Sequence, residues 1–200
     1  DELLLFPNPR ARAMAGEQIE EFSDEYWERF APFYEKVAAL PFHLVVSATP
    51  DMGISRTFDQ LGVAHQFGYY NRKKIAPDPP YDKIQEDPKN QRLVFNLFGR
   101  TGKLDSLVLS HEDLFNYLQN ILGAKGLSHE DYEKLHFALS EATNFLFLGF
   151  QFHKWYMQLL LRLLNPDQDK GRQYALNPDL ADDTLVFYGE QFQIKFVDSL

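Results

Sequence analysis

Thr143–Leu164 reads TNFLFLGFQFHKWYMQLLLRLL, and two periodicities meet inside it. Asn144–Leu148 is a short apolar run of strand length, too rich in Phe and Leu to face water on either side. Gly149 breaks it. From His153 the pattern turns helical: Lys154, Gln158 and Arg162 fall four apart and form one narrow polar stripe. Trp155, Tyr156, Met157, Leu159, Leu160, Leu161, Leu163 and Leu164 fill the remainder, which predicts Trp155 and Leu159 on the core side. A strand buried on two faces, leading into a helix buried nearly all round, points to a parallel α/β sheet. The expected fold is one three-layer α/β domain with a mostly parallel central sheet and helices on both faces. Val45, Val94–Leu97 and Phe145–Leu148 are its predicted central strands.

The totals agree with that class. At 200 residues the chain can bury roughly 70% of the surface its unfolded form exposes. Hydrophobic residues make up 44% and charged ones 24%, an ordinary globular composition, and 18 Phe favour an aromatic core. A net charge of −9 opposes the basic footprint of a nucleic-acid or anionic-membrane binder. Arg72-Lys73-Lys74, the short basic cluster, reads as solvated. No Cys is present, which excludes disulfides, thiolate zinc sites and thiol nucleophiles and suits a reducing cytoplasm. No apolar run approaches the ~20 residues that span a bilayer. The opening DELLLFPNPR lacks a signal-peptide pattern and an initiator Met, so an encoded start further upstream is expected.

Along the chain, residues 1–16 read as irregular because of Pro7 and Pro9. Glu17–Leu40 reads as one or two helices, with Ser23 able to cap the second, Pro32 as a kink or restart and Pro41 as the stop. Together these form an N-terminal helical extension, residues 1–40, on a core of residues 41–200. Phe42–Ser47 is a strand, Ile54–Leu61 a short helix or turn, His65–Tyr70 a second strand and Arg92–Leu97 a third. Asn71–Lys89 is a proline-rich exposed loop. Gly99–Asp105 is a turn and Leu107–Leu109 a short extended piece. The tetrapeptide Ser-His-Glu-Asp occurs at Ser110–Asp113 and again at Ser128–Asp131. Each reads as a capping box opening a helix, over Glu112–Leu122 and Glu130–Ala142, rather than as a paired-histidine site. The tail reads as extended segments over Arg172–Leu176, Thr184–Tyr188 and Gln191–Val197.

Familiar chemical motifs fail on inspection. Gly99-Arg100-Thr101-Gly102-Lys103 is too short for a phosphate loop, and Leu104 stands where a magnesium-binding hydroxyl is needed. No GxGxxG follows a strand, no GxSxG elbow occurs, and the six His residues lack ligand spacing, so no metal site is predicted. His43, in a strand, reads as a hydrogen-bonded structural residue.

Three stretches, taken in order, resemble the prokaryotic sirtuin-like (silent-information-regulator-like) domains of antiviral defence and other conflict-system proteins. They are Val45–Asp51 (VVSATPD), Val94–Gly99 (VFNLFG) with Leu107–Asp113 (LVLSHED), and Phe145–Gln151 (FLFLGFQ) with Trp155. The family counterparts run T-T-N-Y-D, then L-H-G, then L-F-I-G-Y-S followed by D-W. A strand near Tyr174–Pro178 and the ending Phe192–Val197 extend the likeness over residues 40–200. The resemblance implies a Rossmann-like fold and NAD chemistry, with Asp51, Asn96, Gly99 and Gly149 on the ligand side. It also implies that the family's catalytic Asn and His fall on Thr49 and Phe98. Phe has no proton to exchange, Thr lacks the amide, and no glycine-rich phosphate loop occurs in residues 1–40.

Three readings follow. The first is a degenerate, non-catalytic sirtuin-like module, without a required cofactor, serving interaction or regulation in a defence protein or complex. The second is an active NAD glycohydrolase whose cofactor loop is atypical or lies outside this chain. The third is an unrelated α/β binding domain. The expected partners are proteins or further domains, with self-association left open, and neither nucleic acid nor membrane.

Overall fold

The computed structural model describes residues 9–70, 84–122, 129–164, 171–176 and 180–197. These residues form an α/β protein of six α-helices, one 3-10 turn and six strands, and every strand pairing is parallel. The chain divides into two compact units, Asp1–Lys134 and Leu135–Leu200.

The first unit runs α1 (Pro9–Ala39), β1 (Leu44–Ser47), α2 (Gly53–Gln60), β2 (His65–Tyr69), β3 (Arg92–Asn96), the 3-10 turn Leu104–Ser106, α3 (His111–Leu122) and the start of α4 (His129–Ser140). Its sheet has the order β1-β3-β2. Val45, Val94 and Phe67 lie in one row across it. Around that row Ala38, Phe58 and Tyr69 close a core, with Met52, Ile54 and Val63 packed on its margin. Burying such side chains contributes about 1.5–3 kcal/mol each. α1 reaches this core through Tyr34, Val37 and Ala38. The Arg92 guanidinium donates to the carbonyls of Ala38 and Leu40, satisfying acceptors left over at the helix end.

α1 corrects two expectations. Residues 9–16 are helical, because a proline is tolerated in a first turn whose N–H groups have no helical partner anyway. Pro32 neither ends nor restarts the helix, and Ser23 lies inside it rather than at a cap. The buried turn that follows Pro32 holds the helix on the core. The loop Asn71–Lys89 falls largely outside the described residues. Its last part is described: Gln66 clasps it through Glu86 O at 2.7 Å and Gln85 N at 3.0 Å, and Lys134 Nζ donates to Ile84 O at 2.7 Å.

The second unit continues through β4 (Asn144–Phe147), α5 (Trp155–Leu164), β5 (Arg172–Leu176), α6 (Asp182–Phe192) and β6 (Ile194–Val197), with sheet order β4-β5-β6. Its core is Phe152, Leu161, Ala175, Tyr188, Phe192 and Ile194. The Tyr188 hydroxyl donates to Phe152 O at 2.5 Å, and burial pushes its pKa up.

Three further expectations are corrected here. Thr184–Tyr188 is helix, not strand: Asp182 and Asp183 occupy the first turn, and Tyr188 and Phe192, four apart, supply the buried face. Gln191 and Phe192 end that helix, with Gln193 at φ +54°, so the last strand begins only at Ile194. Trp155 is 48% exposed and Leu159 37%, while Met157, Leu160 and Leu161 are buried. Trp155, Leu159 and the exposed Arg162 share one side of α5, so the outward face is wider than the polar stripe alone suggests.

Of the three predicted central strands, β3 is central and buried from Leu93 to Asn96. β1 and β4 are outer strands of their sheets and only half-buried. Apolar sequence alone does not separate an outer strand from an inner one.

Candidate functional site

Ligands in open parallel sheets bind beyond the carboxyl ends of the strands. In the first unit two loops meet there. Ser47–Asp51 leaves β1, and Leu97–Thr101 leaves β3. Leu97 N donates to Ser47 O, and Thr101 N to Pro50 O, both at 2.8 Å. Asn96, at the end of β3, donates from Nδ2 to Asp51 O at 2.8 Å. The structure therefore brings together Thr49, Asp51, Asn96 and Gly99 from separate stretches of sequence.

Asp51 organises the first loop. Its Oδ1 accepts the Gly53 N–H at 2.8 Å, capping the start of α2, as its sequence position suggests. Its Oδ2 accepts the Thr49 hydroxyl at 2.5 Å. With that proton committed, Ser47 is the donor in the 2.8 Å contact between Ser47 Oγ and Thr49 Oγ1. The Tyr34 hydroxyl reaches Oδ1 from α1 at 3.4 Å. A carboxylate at a helix N-terminus competes with a phosphate for that place, and here it takes the first amide of α2.

The second loop is equally committed. Gly99 has φ +87°, and a Cβ there would lie 2.3 Å from Ser106 O, so only glycine fits. Arg100 N donates to Ser106 Oγ at 3.0 Å and Lys103 N to Arg100 O at 3.2 Å. The amides of Arg100, Thr101 and Lys103 are thus used inside the protein, which does not suit a phosphate loop. Phe98 is half-buried, its ring edge-on to Tyr117 at 5.2 Å, and Tyr117 in turn meets Tyr70 at 4.6 Å.

Three buried polar atoms in this unit have no hydrogen-bond partner among the described residues: Trp27 Nε1 on α1, Asn96 Oδ1 and the Tyr117 hydroxyl. Burial, with Tyr70 beside it, pushes the Tyr117 phenol well above its ordinary pKa. An open acceptor such as Asn96 Oδ1 costs about 1–3 kcal/mol unless a donor reaches it.

His65 takes a structural place, whereas His43 is exposed just ahead of β1 rather than inside the strand. His65 Nε2 lies 2.7 Å from Ser55 Oγ and its Nδ1 3.1 Å from Val63 O, tying α2 to β2. Ser110 caps α3: Asp113 N donates to Ser110 Oγ and Leu109 N to Asp113 Oδ2, each at 3.1 Å. Ser128 of the second tetrapeptide lies outside the described residues. No group of three His, Asp or Glu suited to a metal occurs among the described residues. No helix among them is long and apolar enough to cross a membrane.

Gly149 belongs to the second unit, after β4, at φ +62° in a turn closed to ordinary side chains. In that unit Gln173, on β5, is buried with neither amide atom hydrogen-bonded among the described residues.

The SIR2-like domain profile matches residues 54–192, well over half of the chain. The chain belongs to the SIR2-like domain family. A search of curated proteins finds no match. The SIR2-like domain begins on α2 and ends on α6, so the strand-end loops after β3 and after β4 lie inside it, whereas α1, Thr49 and Asp51 precede it. Ser47, Tyr34, Ser106 and Tyr117 were not singled out by sequence reasoning. Ser47 had one usable signal, a hydroxyl at the carboxyl end of a strand. Tyr34 had none, since its role depends on where α1 packs.

SIR2-like domains are NAD-related as a family, and the fit of these residues to NAD divides. Asn96 Oδ1 and the Thr49–Asp51 pair suit a hydroxyl or amide donor. The pyrophosphate is served less well, since Asp51 takes the first amide of α2 and the Arg100, Thr101 and Lys103 amides are used internally.

Proposed function

We propose that this chain is a SIR2-like module that does not cleave NAD and acts as an interaction or regulatory part of a prokaryotic antiviral defence assembly. The observation that carries it is Phe98. In the position the resemblance gives to the family's catalytic His, an apolar ring packs edge-on against buried Tyr117. General acid–base help of about 10²–10⁴-fold is unavailable from such a ring. Thr49, in the Asn position, has its hydroxyl committed to Asp51. On this reading residues 41–200 work as one core with residues 1–40 as a helical extension. The partner is a protein, a neighbouring domain or a second copy. On this reading the module works in the cytoplasm, a setting that the cysteine-free composition suits.

The test is incubation of the purified chain with NAD while free nicotinamide is followed. No turnover is expected. The double variant Thr49→Asn with Phe98→His is also expected to stay inactive, because the glycine-rich phosphate loop is still missing. Robust turnover by the unmodified chain, lost on substituting Asp51 or Asn96, overturns the reading in favour of an NAD glycohydrolase.

A second reading has its own support. Asn96 Oδ1 is an unspent acceptor at the end of the central strand, which favours retained binding of NAD without cleavage. Saturating NAD at 100 times its Kd then adds about 2.7 kcal/mol of stability.

A further inference from the structure

We propose that α1 is a built-in clamp on the loop after β1, and that displacing it frees Asp51 and Thr49 for a ligand. The inference rests on reading Ser47–Asp51 as the ligand side of the unit. It draws on a helix that lies wholly before the matched SIR2-like segment.

The contact is built from both sides. On α1, Tyr34 is buried, and Val37 and Ala38 anchor the same face in the core. On α2, Gly53 leaves the room that the Tyr34 ring fills: a Cβ on Gly53 would lie 2.7 Å from two ring carbons and 2.9 Å from Asp51 Oδ1. The Tyr34 hydroxyl then reaches that same Oδ1 at 3.4 Å, a long bond, so the ring's packing is the larger part of the hold. Asp51 transmits the hold to the rest of the loop. Its carboxylate fixes the Thr49 hydroxyl and the Gly53 amide, and its carbonyl is fixed by Asn96. While Tyr34 sits on Gly53, a ligand donor must compete with internal donors for every one of these oxygens. A partner that draws α1 away removes one competitor and opens the space over Gly53. Such a device biases two states of one loop, the form that regulation through a displaced element takes.

Two substitutions release the clamp from opposite sides. Tyr34→Ala removes the ring, and Gly53→Ala pushes it out. Glu35→Ala, at the exposed neighbouring position, is the control. Each chain is checked for cooperative thermal unfolding and titrated with NAD by calorimetry. Asp51 is separately coupled to an amine through a water-soluble carbodiimide and quantified by peptide mass spectrometry. The expected result is a Kd for NAD lowered by about tenfold in both release variants, within the usual 5–150-fold range of coupling between sites, and unchanged in Glu35→Ala. Equal affinity in all four chains overturns the clamp, as does a gain in one folded release variant and not the other. If one release variant does not fold, the other decides. If no chain binds NAD, the labelling decides. Faster coupling of Asp51 in the release variants upholds the clamp and sinks the NAD-binding reading, and unchanged coupling sinks both.

Discussion

Two strand-to-helix crossovers in this protein solve the same geometric problem with different chemistry. The one after β1 is polar. Ser47, Thr49 and Asp51 bind one another, Asp51 caps α2, and Asn96 holds the Asp51 carbonyl. The one after β4 is aromatic. Gly149 turns the chain at φ +62°, and Phe147, Phe150 and Phe152 stack edge-on or tilted, with ring centroids 4.7–6.1 Å apart. A turn made by packed rings is rigid and chemically silent. A turn made by hydroxyls and a carboxylate exposes groups that a ligand can compete for. The difference explains why a candidate site can be built at the first crossover, while the second reads as architecture.

The largest expected effect tests the aromatic side. Phe152 is buried and touches Phe147, Phe150, Tyr188 and Phe196. Phe152→Ala should cost about 3–5 kcal/mol, read from denaturant unfolding. Trp155→Ala, on the outward face of the helix that follows, should cost less than about 1 kcal/mol. Equal losses would mean that the α5 faces are wrong.

Next comes the polar side. Asp51→Ala removes the α2 cap and leaves Thr49 without its acceptor, for an expected loss of about 1–2 kcal/mol. Gly149→Ala should cost about 1–2 kcal/mol through its left-handed backbone alone. The two separate by ligand response: Asp51→Ala should abolish any NAD-dependent rise in Tm, and Gly149→Ala should leave it intact. Loss in both would erase the contrast between the crossovers.

The smallest effect concerns Tyr117. Its hydroxyl is buried without a hydrogen bond among the described residues, so Tyr117→Phe should be neutral or stabilising by up to about 1 kcal/mol near pH 7. Its phenol is held above the ordinary value by burial and by Tyr70. The folded state therefore keeps a proton that the unfolded state loses above about pH 10. Stability contributed this way is complete below pH 10 and falls as the pH rises beyond it. Unfolding curves from pH 9 to 11 should fall less steeply for Tyr117→Phe than for the unmodified chain.

Periodicity was enough for most elements. β2, β3, β5, α2 and α3 fall where the apolar spacing and the Ser110 cap put them, because these signals are local. Thr184–Tyr188 misled, since an apolar run of that length suits strand or helix, and only the seating of Tyr188 and Phe192 in the core decides. Among site residues, Asp51 was legible as a cap and Gly149 as a turn from single positions. The Asn96–Asp51 bond spans 45 residues of chain and was not.

By itself, the sequence determined the α/β class, the parallel pairing implied by strand–helix alternation, the acidic surface and the lack of thiol chemistry. It also determined that an apolar ring stands at position 98. These properties follow from composition and from periods of two and 3.6 residues, which act over a few neighbours. Tertiary structure decided that β3 is central while β1 and β4 flank their sheets, and that Trp155 faces outward. It also decided that Asn96 keeps one acceptor open among the described residues and that Tyr34 fills the space over Gly53. Each of these depends on which distant segment arrives beside which, and that is settled by packing a whole core at crystal-like density rather than by any local preference.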